Sequence, residues 1–153
     1  MEFTFYGIEL GAPNNEISTI WHPSNDHKSV IIQLEEDCRF NYKKSIYSIA
    51  RQTIHCLHPA DNPNKTSVLA EGVAEWYAQQ IAVQYQYMPS SLSESRQEAY
   101  SLVSKLIRHD PGFVKKLRSY SSCLSKISVK AFKEMGIYFD QQDISKLISQ
   151  FVY

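Results

Sequence analysis

The sequence predicts an α+β protein in which a small N-terminal β-sheet is followed by a helical majority. Three observations carry that prediction. Before residue 36, apolar and β-branched residues come in short runs or alternate with polar ones, as strands require. After residue 42 the apolar spacing changes to three and four, the period of amphipathic helices. Only five glycines are present in 153 residues, too few for a many-turned β-barrel or a glycine-rich phosphate cradle. A chain of this length is expected to form one domain, residues 1–153, with a hydrophobic core of its own.

In the strand region, Phe3 and Phe5 alternate with Thr4 and Tyr6, and Ile17-Ser18-Thr19-Ile20-Trp21 is rich in β-formers. Ser29-Val30-Ile31-Ile32-Gln33-Leu34 is an apolar run suited to a buried strand. Turn residues at Gly11–Asn15 and His22–Asp26 separate the three, so strands in meander order are expected.

The first helix carries Tyr42, Ile46, Ile49, Thr53, Ile54 and Leu57 on its periodic positions and is stopped by Pro59. A polar connection, Ala60–Lys65, leads to a second helix over residues 67–87 with Val68, Leu69, Val73, Trp76, Tyr77 and Ile81 on its apolar faces. Met88-Pro89-Ser90-Ser91 breaks it, and Ser91 with Glu94 has capping-box spacing ahead of a third helix bearing Ala99, Leu102, Val103, Leu106 and Ile107. Asp110-Pro111 reads as an N-cap and first-turn pair for a helix with Phe113, Val114 and Leu117 inward. Ser128 caps a short helix holding Val129, Phe132 and Met135, which Gly136 ends. Asp140 and Asp143 open the last helix, with Ile144, Leu147, Ile148 and Phe151.

Sixteen Lys plus Arg balance sixteen Asp plus Glu. That balance argues against a dedicated nucleic-acid binder, which carries a basic excess to neutralise phosphates. The basic run Arg108-His109 with Lys115-Lys116-Leu117-Arg118 is expected to be a solvated helix face. The N-terminal residues lack a basic segment followed by an apolar one, and no window approaches the roughly 18 apolar residues of a membrane span. No membrane association and a cytoplasmic setting are the expectation. Cys38, Cys56 and Cys123 form an odd set without CxxC spacing, which supports neither a disulfide framework nor a four-cysteine zinc site. No Gly-x-Ser-x-Gly elbow accompanies the serine-rich stretches, so a serine hydrolase is unsupported.

The chemically informative stretch is Ile49–Ala78. A side chain four residues before His55 shares its helix face, and Glu71 and Glu75 share a face of the next helix for the same reason. A histidine on one helix and two carboxylates on its neighbour outline a metal site. The plainer alternatives are a hydrogen-bonded core histidine at His55 and a solvated acidic face near a helix start at Glu71 and Glu75. Gly72 weighs against the solvated face, because an interior helix glycine costs about 1 kcal/mol against alanine and needs a packing reason such as close approach of the two helices.

The phrase Leu69-Ala70-Glu71-Gly72-Val73-Ala74-Glu75-Trp76-Tyr77 resembles the second motif of gluzincin-type zinc metallopeptidases, whose preceding helix carries HExxH. The resemblance spans roughly residues 29–80 and implies a zincin-like helix pair at residues 42–87, with Glu71 at a ligand position, His55 at the second histidine, and Glu75 and Trp76 at a cleft. The sequence departs from the pattern where Arg51 stands in place of the first histidine and Gln52 in place of the catalytic glutamate. A guanidinium has no lone pair to give a metal, and an amide cannot take a proton from water. The resemblance therefore implies a degenerate, non-catalytic site with no cofactor, in which Arg51 pairs with Glu71 and a cleft binds a protein or peptide partner. The alternatives are a zinc hydrolase with the shifted ligands His55, His58 and Glu71, and a small helical structural or assembly protein in which the phrase is coincidental.

Overall fold

A computed structural model describes residues 4–11, 18–21, 29–57, 66–89 and 92–152. Among them are strands β1 (Thr4–Leu10), β2 (Thr19–Trp21) and β3 (Ser29–Leu34), and helices α1 (Tyr42–Cys56), α2 (Val68–Gln84), α3 (Glu94–His109), α4 (Phe113–Tyr120), α5 (Val129–Glu134) and α6 (Gln141–Leu147). The α+β class with a helical majority is as the sequence predicts. None of the helices among the described residues is long and apolar enough to cross a membrane. The chain divides into two compact units, residues 1–63 with 77–90 and residues 64–76 with 91–153, so α2 contributes its first half to the second unit and its second half to the first.

In the first unit the strand order is β1-β3-β2, with β1 parallel and β2 antiparallel to β3. This corrects the expected meander. The most apolar strand takes the centre, where both of its edges are paired and Val30, Ile32 and Leu34 are buried. Helix α1 covers one face of it: Ile32, Leu34 and Cys38 cluster with Ile49 and Cys56. Its other side packs Tyr47 and Ala50 on Ala78 and Ala82 in the second half of α2, where small side chains let the helices approach. Asn41 caps α1 by accepting from the Lys44 amide at 3.0 Å.

In the second unit the segment before α2 is tied to the C-terminal segment. The amide of Val68 donates to the Ser149 carbonyl at 3.0 Å, and that of Phe151 to Thr66 at 2.9 Å. Phe113, Leu117, Leu106, Phe132 and Leu147 fill the core of this unit. The expected end of α5 at Gly136 is present, with a φ of +66° that favours glycine, and Asp140 caps α6 by accepting from the amides of Gln142 and Asp143.

Two expected caps are displaced. Helix α3 is capped by Ser93, whose side chain accepts from the Arg96 amide, whereas Ser91 lies outside the described residues. Helix α4 starts at Phe113 with Gly112 as its cap. Asp110 accepts from the Gly112 amide at 3.0 Å instead, a local side-chain turn that delays the helix.

The packing reason for Gly72 lies in α3. A Cβ at this position would sit 2.4 Å from the Ala99 carbonyl oxygen and 2.6 Å from Val103 Cγ2. The close approach expected of the first helix pair is therefore one between α2 and α3. Gly72→Ala gains about 1 kcal/mol of helix propensity but forces backbone apart, at about 1–3 kcal/mol or more. A net loss of stability is expected in urea unfolding, and a variant as stable as the parent would contradict this contact.

Candidate functional site

The residues singled out by the sequence fall into the two units and are described within each. Arg51, Gln52 and His55 lie in the last turns of α1 in the first unit. Arg51 is 4% exposed, Gln52 is 3% exposed and His55 is half-buried. Arg51 and His55 are four apart on one helix face, and both take part in interactions within the protein.

Gln52 has a specific task. Its side-chain amide donates to the Ser18 carbonyl at 2.5 Å, holding the residue that enters β2 against α1. Ser18 is fixed from a second side by Glu35. The Ser18 amide donates to the Glu35 carboxylate, and the Glu35 amide donates to the Ser18 hydroxyl, both at 3.4 Å. Glu35 in turn forms an ion pair with Lys44, which also pairs with Asp37 at 2.6 Å. Burial opposes the ammonium charge of Lys44, yet its bonds to Asp37 and Glu35 prevail and hold its pKa above the ordinary lysine value. Sequence reasoning missed Ser18, Glu35 and Lys44, because the bond from Gln52 reaches across 34 positions and no local pattern announces it.

Glu71 and Glu75 lie on the half of α2 that belongs to the second unit, and each is 1% exposed. The alternative of a solvated acidic face is thereby overturned. Ser67 caps this helix, its hydroxyl accepting from the Ala70 amide at 3.2 Å. Glu71 stands in the first turn, where the helix dipole favours an anion. Both carboxylates take part in interactions within the protein. Trp76, the next residue, is half-buried.

Among the described residues, no group of three or more His, Cys, Asp or Glu side chains is placed to hold a metal ion. His58, part of the shifted ligand set, lies outside them. Arg51, at the position the resemblance gives to the first ligand, does not fit a zinc ion, because a guanidinium offers no lone pair. Burial pushes the Cys56 thiol up to about 11 and raises that of Cys38, so both stay protonated at neutral pH. All three cysteines are free. No family model, curated protein or solved structure matches the chain.

Two outcomes follow from these contacts. Gln52→Glu replaces a buried donor by a carboxylate facing a carbonyl, and should cost about 2–4 kcal/mol at neutral pH. A protonated carboxyl can still donate to Ser18, so the folded-state pKa of the new glutamate is raised. The stability deficit should be smallest below the unfolded-state value of about 4.3 and grow as pH rises. Denaturant unfolding at several pH values checks this, and a pH-independent deficit would count against the Ser18 contact. For Cys56, the folded pKa exceeds the unfolded one, so the unfolded chain binds fewer protons above the ordinary thiol range. Stability should fall as pH climbs from there toward 11, and a disulfide reagent should label native Cys56 far more slowly than the unfolded chain.

Proposed function

We propose that this chain is a non-catalytic, metallopeptidase-like protein that acts by binding a protein or peptide partner. One observation carries the reading. The positions that would supply the first metal ligand and the general base hold Arg51 and Gln52, both buried, and the Gln52 amide is committed to the Ser18 carbonyl. A residue engaged in holding a strand entry is not poised to take a proton from water.

Other features support the resemblance from which the reading starts. A small sheet precedes the helix that bears Arg51 and His55, and the next helix bears Glu71 and Glu75, two acids kept inside the protein. Acids are almost never fully buried unless paired or otherwise engaged. Their presence in the otherwise apolar first half of α2 fits descent from a site that once used a carboxylate. Loss of the ligand and the base together removes the reaction and leaves the fold available for recognition.

The test restores the missing ligand. Elemental analysis of the purified chain should find no stoichiometric zinc, before or after incubation with excess metal. Arg51→His restores the pair of histidines four apart on α1 that the resemblance implies, and should take up zinc that the parent chain does not. Circular dichroism confirms that the variant is folded. A folded Arg51→His protein that binds no zinc would sink the metallopeptidase resemblance. About one zinc in the parent, lost in His55→Ala, would instead favour a hydrolase using His55, His58 and Glu71.

A further inference from the structure

Charge is segregated along this neutral chain. Residues 105–133 hold eight lysines and arginines, namely Lys105, Arg108, Lys115, Lys116, Arg118, Lys126, Lys130 and Lys133, against one carboxylate, Asp110. All eight belong to the second unit, and all but the half-buried Arg118 are exposed. The fold gathers them further. Phe113 and Leu117 of α4 and Ala131 and Phe132 of α5 point into the core, which turns the lysines of both helices outward. The two helices are neighbours: the Ser119 hydroxyl lies 3.7 Å from Met135 Sδ, and Tyr120 is close enough to Lys130 to act on its charge.

The unit's own carboxylates answer only part of this charge. Asp110 holds Lys116 at 2.7 Å, Glu134 holds Lys130 at 3.3 Å and Asp143 holds Lys105 at 2.5 Å. Arg108, Lys115, Arg118 and Lys133 enter no ion pair among the described residues. Like charges at this density repel one another, a cost that an oppositely charged partner removes.

We propose that the exposed face of α4 and α5, with the adjoining end of α3, is a docking surface for an acidic segment of another protein. Six of the eight cations are lysines, compact point charges that take one carboxylate at a time, as three of them do within the fold. Phosphate backbones are better met by arginine forks, and a long polyanion gains no attractive field from a chain of zero net charge. A short acidic segment needs only the local field. This surface is independent of the metallopeptidase reading and stands if that reading fails.

The test is fluorescence anisotropy of a labelled oligoglutamate titrated with the full chain. Saturable binding at low salt is expected, fading as ionic strength rises and the Debye length shortens. Combined Lys115→Glu, Arg118→Glu and Lys133→Glu should weaken binding by about tenfold or more. Arg118→Glu alone should weaken it more than Lys43→Glu, which makes the same change of charge on α1 in the other unit. Should the triple reversal fail to fold, Lys115→Gln with Lys133→Gln gives the same readout without introducing repulsion. Absence of saturable binding, or equal losses from Arg118→Glu and Lys43→Glu, would overturn the proposal. So would tighter binding of an oligothymidylate of equal charge, which would make this a nucleic-acid surface.

Discussion

A helix with no solvated side must be covered all round and must have its polar groups met from within the protein. The first half of α2 is such a helix, since every residue from Thr66 to Glu75 is buried. Much of the second unit is arranged accordingly. The C-terminal segment pairs with the residues that lead into the helix: the Ser149 carbonyl accepts from the Val68 amide, one of the N–H groups that a helix start leaves open, and the Phe151 amide donates to the Thr66 carbonyl. Ser67 caps the helix, and α3 comes close enough at Gly72 that a methyl group would strike the Ala99 carbonyl. Val68 then packs with Ala99, Leu102 and Phe151. Closeness of this order is bought with small residues, and Ala74, Ala78 and Ala82 continue the supply into the first unit.

Packing accounts for the small and apolar letters of Leu69–Tyr77 but not for its acids. Gly72 answers to α3, and Leu69, Val73 and Ala74 are ordinary interior residues. An ionised carboxylate taken out of water costs several kcal/mol unless charges or donors offset it. The N-terminal dipole favours Glu71 in the first turn and has faded by Glu75, one turn on. A helix built for packing alone would carry leucine or alanine at both positions. The two glutamates are therefore the part of the phrase that packing does not explain, whatever the phrase resembles.

Much of the architecture was legible because it depends on local rules. The change from strand-like runs to a spacing of three and four marks the sheet and the helices, Gly136 and Asp140 stand where their cap chemistry places them, and Ser128 takes the N-cap position of α5 without a side-chain bond to the helix. What local rules cannot supply is partner choice. Strand order was misjudged because the pairing of β1 with β3 is parallel and spans a long connection, while the periodicity of each strand is the same in either arrangement. The α4 cap moved because Asp110 satisfies a turn of its own before the helix begins. The burial of Glu71 and Glu75 was open in the sequence, since acids near a helix start suit solvent equally well, and only Gly72 leaned the other way. The task of Gln52 was invisible, because its acceptor is a backbone carbonyl far back in the chain.

Position 52 shows how the fold constrains the chemistry. A general base must present a lone pair to water, and so must keep a carboxylate unencumbered by an acceptor such as a carbonyl oxygen. The tie to Ser18 needs the opposite, a group that donates, which an ionised carboxylate lacks and an amide has. The two tasks cannot be done by one side chain in one protonation state. With Gln52 the chain has a permanent donor there, and Ser18, Glu35 and Lys44 extend that choice into a connected set of bonds that fixes the entry to β2 on the face of α1. A general base on this helix would have to stand at another position, because this one is engaged in holding the sheet.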